Sequence, residues 1–187
     1  MLLPLTAEWH AARERKRKAI AFLSALRREP AESDVKWLAE VAARDDLDHA
    51  RWELRYARLA LAVLTAQRDA LDDRTGSEAA AALEEVLAKD PSVDPLMLDL
   101  VRRQLNDRLS GYNEALIAKG GPAGSGERLG RVLLAFASDG ARSAGAPLPR
   151  AVELLSAYLG EANETLRRVY GEADLPEHLP PSEASAR

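Results

Sequence analysis

The stretch from Ser33 to Asp72 contains neither glycine nor proline. Because these two residue types end helices most readily, an uninterrupted stretch of this length predicts one long central helix over about residues 34–72. At a rise of about 1.5 Å per residue, such a helix would be roughly 55 Å long. An element of that length favours an elongated bundle of helices.

The composition also favours helices packed on helices. Apolar residues make up 47% of the 187-residue chain, but aromatic residues only 5%, and 30% of the residues are charged. Alanine and leucine supply most of the apolar positions, and both are strong helix formers. We therefore expect an all-α elongated helical bundle of about six helices. The predicted helices cover about residues 7–28, 34–72, 78–88, 95–119, 127–138 and 148–170.

The domain organisation follows from the positions of glycine and proline. We expect loops at 120–126 and 139–147, where glycine, alanine, serine and proline are concentrated. Residues 1–171 are predicted to form a single helical-bundle domain. Residues 172–187 contain three prolines and little apolar surface, so they are predicted to be a flexible C-terminal tail.

Two polar residues interrupt the apolar face of the long predicted helix. Asp45 and His49 lie one turn apart on that face, close enough to touch. An ionised carboxylate is costly to bury without a partner, so a cation should lie opposite Asp45. The other positions selected by steps of four and three residues are apolar: Leu38, Ala42, Trp52, Tyr56, Leu59, Val63, Ala66 and Ala70.

The first predicted helix offers Lys16 as that cation, since Lys16 is the polar member of its own apolar face. If the first two helices form an antiparallel hairpin that turns near Pro30, Lys16 lies opposite Asp45. We therefore predict that Lys16, Asp45 and His49 form a structural polar network that sets the register of the two helices.

The same region allows a second hypothesis, a metal site. Ferritin-like carboxylate bundles take a Glu-x-x-His step from two helices and further carboxylates from two others. Asp46 and His49 have this spacing, and Asp45 and Glu53 add carboxylates nearby. Asp45, Asp46, His49 and Glu53 are therefore candidate ligands of a divalent metal. The second half of a dinuclear site is missing, because neither of the other two histidines follows an acidic residue at this spacing.

A basic run, residues 13–18, makes nucleic-acid binding a further alternative. Residues 1–30 hold seven basic and three acidic side chains, a surplus of +4, although the whole chain has a net charge of −4. The basic first helix can face an acidic partner, or the acidic remainder of its own bundle. Because consecutive residues fan around a helix and aromatic residues are scarce, the second interpretation is favoured over nucleic acid.

Several function classes are excluded or disfavoured. The absence of cysteine excludes disulfides, thiol catalysis and cysteine-ligated metals. We recognise no catalytic motif, so enzymatic activity is not favoured, and no resident cofactor is expected unless the divalent metal binds. No signal peptide or membrane span is recognised, so a cytoplasmic location is expected. The leading hypothesis is a non-catalytic protein-interaction or scaffolding module, plausibly a homodimer. A metal- or small-ligand-binding bundle is the first alternative, and nucleic-acid binding the second.

Overall fold

The structure, a computed structural model, describes residues 7–69, 73–119, 121–138 and 147–171. Within these ranges the chain is α-helical, with one 3₁₀ turn at Pro95–Met97 and no strand. The all-α helical bundle predicted from the sequence is confirmed. The helices are α1 (Ala7–Leu26), α2 (Glu32–Val41), α3 (Leu47–Asp69), α4 (Asp73–Ala88), α5 (Leu98–Ile117), α6 (Gly121–Ala137) and α7 (Leu148–Tyr170).

The predicted continuous helix over 34–72 is in fact broken between α2 and α3. Arg44 and Asp45 have φ angles of 52° and 64°, in the left-handed region that non-glycine residues rarely adopt. Helix α3 then begins behind Asp46, whose Oδ1 accepts a 2.9 Å hydrogen bond from the His49 backbone N–H. This is the geometry of a helix N-cap, which compensates part of the cost of restarting the helix.

Tertiary packing explains why the helix breaks without a glycine or proline. Arg51 on α3 pairs with Glu32 at the start of α2, with 3.0 Å between Nη2 and Oε1. Helix α2 therefore folds back along α3, which buries Val35, Leu38 and Ala39 in the core. A continuous helix would carry these three side chains away from α3, and burying each large apolar side chain contributes about 1.5–3 kcal/mol.

Helix α3 is the central element, and it contacts all six other helices. Every residue from 59 to 66 is buried, so this stretch is apolar around its whole circumference, apart from Thr65. Such a helix must be surrounded by others. The predicted long helix was expected to be central, and in the structure the central element is α3, which corresponds to the second part of that predicted helix.

Helix α1 lies beside α4 rather than in a hairpin with the break region. Arg15 faces Glu78, and Arg27 faces Asp90, each at 3.8 Å between Nε and the nearest carboxylate oxygen. Residue numbers rise together along both helices, so α1 and α4 are parallel. The antiparallel register predicted for the first two helices is therefore corrected.

Two helices begin earlier than predicted. Gly76, predicted to be a turn residue, lies inside α4, where an added Cβ would come within 2.9 Å of the Gln67 Cα. Glycine therefore permits close contact between α3 and α4. Helix α6 begins at Gly121, so most of the predicted loop at 120–126 is helical. The prediction for α7 is confirmed at both ends, and the helix stops at Gly171, with a φ of 90°.

The prediction of a flexible tail at 172–187 falls outside the described residues, as does most of the loop at 139–147. The single-domain organisation over 1–171 stays a prediction. In the ranges that the structure describes, no helix combines the length and the apolar character needed to cross a bilayer.

Candidate functional site

Lys16, Asp45 and His49 occupy separate environments. The Nζ of Lys16 lies 2.8 Å from Oε2 of Glu85 on α4, since α1 packs beside that helix. Hydrogen bonds from Lys16 and Lys89 lower the pKa of Glu85 to about 2. Asp45 is exposed in the break between α2 and α3, and His49 lies half-buried in the first turn of α3. Lys16 therefore pairs with Glu85, in place of the predicted network with Asp45 and His49.

The four candidate metal ligands are also not gathered at one point. Asp45 lies in the break, Asp46 caps α3, and Glu53 points to an arginine in the core. Across the described ranges, no group of three or more histidine, aspartate or glutamate side chains is placed to hold a metal ion. A divalent metal at Asp45, Asp46, His49 and Glu53 therefore stays a hypothesis. The positions of these four side chains give it no support.

The buried polar residues of the described ranges include one acidic residue, Glu53, which is only 1% exposed. Its carboxylate forms a two-pronged ion pair with Arg108 of α5. Nε of Arg108 donates to Oε2 at 3.1 Å, and Nη2 donates to Oε1. The Nη1 of the same guanidinium donates to the Gln104 carbonyl at 3.3 Å. Paired, two-pronged arginine–carboxylate contacts of this kind fix the relative position of two helices as well as their charges.

Aromatic rings enclose the guanidinium of Arg108. Its central carbon lies 4.5 Å from the centre of the Phe136 ring and 5.4 Å from that of Tyr56. The Tyr56 hydroxyl donates to Oε1 of Gln104 at 2.8 Å, and burial raises the Tyr56 pKa to about 12. The ion pair and its rings therefore join α3, α5 and α6 through one polar connection inside an apolar core.

A cleft of about 350 Å³ opens beside this ion pair, between α3 and the chain that leads into α5. One wall of the cleft is formed by side chains that lie about one turn apart along α3. The other wall is formed by the 3₁₀ turn and the first turns of α5. We name it the His49 cleft. Six of its lining residues carry the argument below: His49, Trp52, Tyr56, Met97, Leu100 and Gln104.

The His49 cleft is mainly apolar, with a few polar groups in its walls. The Nε2 of His49 is shielded from solvent and has no hydrogen-bond partner in the part of the chain that the structure describes. Trp52 and Tyr56 lie with ring centres 5.5 Å apart. A mainly apolar cleft with a small number of fixed polar groups is typical of binding sites.

Exposed apolar side chains lie next to the cleft. Asp94 caps the 3₁₀ turn by accepting a 2.9 Å hydrogen bond from the Leu96 N–H, with Pro95 at the first position of the turn. This cap leaves the Leu96 side chain 91% exposed, with Met97 at 47% and Leu100 at 36%. Single exposed apolar residues are common, but a group of them at the edge of an apolar cleft is a candidate binding surface.

The basic side chains of α1 have partners inside the molecule. Arg15 and Lys16 face the α4 carboxylates, and Arg17 donates to Glu14 at 2.7 Å. Lys18 lies over the Tyr170 ring, and Arg13 over the Trp9 ring. Arg15, Lys16 and Lys18 thus face groups on other helices of the bundle, whereas Arg13 and Arg17 face residues of α1 itself.

Two functional features were missed from the sequence. Arg108 belongs to the buried face of α5, whose spacing of four and three runs through Val101, Leu105, Arg108, Tyr112 and Ala115. A charged residue at position 108 of this otherwise apolar spacing was the sequence signal that could have identified Arg108 as the partner of Glu53. The exposure of Leu96 had no signal in the sequence, because the expected helix over 95–119 placed this residue in a regular first turn.

Comparison with known proteins gives no relative from which a role can be transferred. No protein-family model, no curated protein and no solved structure matches the chain. The fold places the chain in the class of all-α helical bundles.

Proposed function

We propose that this protein is a non-catalytic interaction module that self-associates through the His49 cleft. The observation that carries the proposal is the placement of an apolar projection beside an apolar recess. Leu96 is the most exposed of the large apolar side chains in the described residues, and the next residue, Met97, already lines the cleft.

A projection and a recess on the same face are what a two-fold interface requires. In such an interface the same patch is used by both copies, so Leu96 of one protomer enters the cleft of its partner and the reverse contact forms at the same time. Trp52, Tyr56 and Met97 are residue types enriched in the centre of protein interfaces. The buried Glu53–Arg108 pair holds the α3 and α5 walls of the cleft in a fixed position, which favours binding.

Sedimentation velocity of the full chain, from about 1 µM to about 1 mM, tests this proposal. The wild type should shift from monomer to dimer in that range, and Leu96→Asp should remain monomeric. The matched control is Ile117→Asp, because Ile117 is 72% exposed at the opposite end of α5. A wild type that is monomeric throughout, or an equal loss of dimer in both variants, would contradict the proposal.

A small apolar ligand in the same cleft is the second candidate function. The cleft volume of about 350 Å³ lies within the range of small-molecule pockets, about 300–1,000 Å³. The unpartnered Nε2 of His49 in its wall favours this reading, since a ligand could supply the missing hydrogen bond after a small side-chain movement. The fluorescence of the apolar dye Nile red tests this second candidate. It is measured with the Leu96→Asp variant, which is expected to be monomeric, so that no second protomer occupies the cleft. Binding that Leu100→Trp abolishes would support a ligand site, and absence of any enhancement would argue against one.

A further inference from the structure

A second, smaller cleft is lined by four arginine side chains. It has a volume of about 180 Å³ and is formed by the connection between α1 and α2, the middle of α3 and the chain after α4. Arg27, Arg28, Arg55 and Arg58 line it, so we name it the arginine cleft. The chain as a whole has a net charge of −4, which makes this local concentration of positive charge a distinct feature.

In the described part of the chain, the carboxylates that pair with these four arginines are fewer than the arginines. Three carboxylates, those of Glu29, Asp90 and Glu161, pair with the four guanidinium groups. Among the residues that the structure describes, these pairs leave one positive charge in excess. Two of the pairs are also loose, because the Nε atoms of Arg27 and Arg58 lie 3.8 Å from the nearest carboxylate oxygen.

Arg58 has the least exposed side chain of the four. Its side chain is only 13% exposed, and its guanidinium carbon lies 4.3 Å from the centre of the Tyr158 ring. The Nη1 donates to the Arg28 carbonyl at 3.3 Å, whereas the buried Nε has no hydrogen-bond partner among the described residues. A partly buried guanidinium attracts an anion more strongly than an exposed one, because the surrounding medium screens the charge less.

The rest of the lining contains an apolar part, formed by Leu26, Leu59, Leu87 and the Trp52 ring. It also contains Ser92 and the carboxylates of Glu29 and Asp90, which pair with Arg55 and Arg27. A cavity of about 150 Å³ accommodates a benzene molecule, so about 180 Å³ has room for one aromatic ring. The lining therefore combines a positive edge with an apolar floor. We propose that the arginine cleft binds a small organic anion, a carboxylate or phosphate ester on a single aromatic ring.

This site is distinct from the proposed dimer contact, although the two clefts share Trp52, Tyr56 and Ser92 in their walls. Four probes distinguish the relevant chemistry: benzoate, phenyl phosphate, neutral benzyl alcohol and cationic benzylamine. Isothermal titration should detect binding of one or both anions, weaker at high salt, and no binding of the other two probes. The Leu96→Asp variant should bind the anions as the wild type does.

Substitutions of opposite expected sign test the assignment. Arg27→Gln should weaken anion binding about tenfold or more, since a hydrogen bond to a charged group contributes about 1.5–3 kcal/mol. Glu29→Gln should strengthen it, because Glu29 competes for Arg55 and its side chain is 65% exposed, so the fold is retained. Arg131→Gln, on the exposed face of α6, is the matched control and should change nothing.

Three outcomes would overturn the inference. The first is equal affinity for the anions and for benzyl alcohol. The second is an unchanged anion affinity in both Arg27→Gln and Glu29→Gln. The third is an equal loss in Arg131→Gln, which would indicate attraction to any exposed arginine. Circular dichroism establishes that each variant is folded. If Arg27→Gln is not, Arg58→Lys replaces it, and the loss of the two-pronged donor should again weaken phenyl phosphate binding.

Discussion

The buried ion pair between Glu53 and Arg108 gives the most quantitative prediction. The Glu53 side chain is 2% exposed and the Arg108 side chain 11%, so both charges are largely shielded from water. Removing one partner of a buried pair leaves an uncompensated charge and costs about 3–5 kcal/mol. We expect Glu53→Leu and Arg108→Met each to lower the free energy of unfolding by about that amount.

The double variant should behave differently from the sum of its parts. Replacing both charges with apolar side chains of similar volume removes the desolvation cost together with the attraction, which is often neutral or stabilising. The variant carrying both Glu53→Leu and Arg108→Met should therefore unfold within about 1–2 kcal/mol of the wild type. The resulting coupling energy between the two residues is about 3–5 kcal/mol.

Urea denaturation followed by circular dichroism at neutral pH measures these free energies, which are a large part of a typical total of about 5–15 kcal/mol. The matched control is the exposed pair of Arg102 with Glu84, whose side chains are 35% and 56% exposed. Its coupling should be about 0–1 kcal/mol. A coupling below about 1 kcal/mol at Glu53 and Arg108, or a double variant as unstable as the two singles combined, would refute the reasoning.

Two further predictions concern the break before α3 and the contact between α1 and α4. In urea denaturation, the free energy of unfolding of Arg44→Gly should be about 0.5–1 kcal/mol higher than that of Arg44→Ala. The reason is that glycine adopts the φ of 52° without a Cβ clash. Equal free energies of unfolding for the two variants would contradict backbone strain at residue 44. The pKa of Glu85 is lowered to about 2 by hydrogen bonds from Lys16 and Lys89, so its contribution is present above about 4.5 and is lost as the pH falls toward 2. In that window the melting temperature of the wild type should fall more steeply than that of Glu85→Gln, and parallel curves would show that the contact contributes nothing.

Local signals predicted the fold class and much of the helix placement. Helix α7 was predicted at both ends because its apolar spacing, its starting proline region and Gly171 all act within a few residues. The break at 42–46 could not be predicted in this way. It places two non-glycine residues in a strained conformation, and what compensates is the burial of α2 against α3, a contact between distant turns.

The candidate site was also predictable only in part from the sequence. The face of the long predicted helix correctly included His49, Trp52 and Tyr56, all of which line the cleft. The residues of the opposite wall of the cleft were not predictable, because the partner of a helix face depends on which helices pack together. Lys16 was assigned to Asp45 by pattern, but the parallel packing of α1 on α4 places it beside Glu85.

The central claim is that Leu96 of one protomer enters the His49 cleft of another. A mixing experiment tests it most directly. Leu96→Asp removes the projection and leaves the cleft, whereas Leu100→Trp fills the cleft, which Leu100 lines, and leaves the projection. A mixed pair then retains one of the two reciprocal contacts, while neither variant alone retains any.

Sedimentation velocity on the two variants, alone and mixed in equal amounts, provides the measurement. The account predicts that each variant alone is monomeric at a concentration where the wild type is dimeric, and that the mixture forms a dimer of intermediate stability. A mixture that stays monomeric at every concentration where the wild type associates, or variants that dimerise alone as the wild type does, would contradict it.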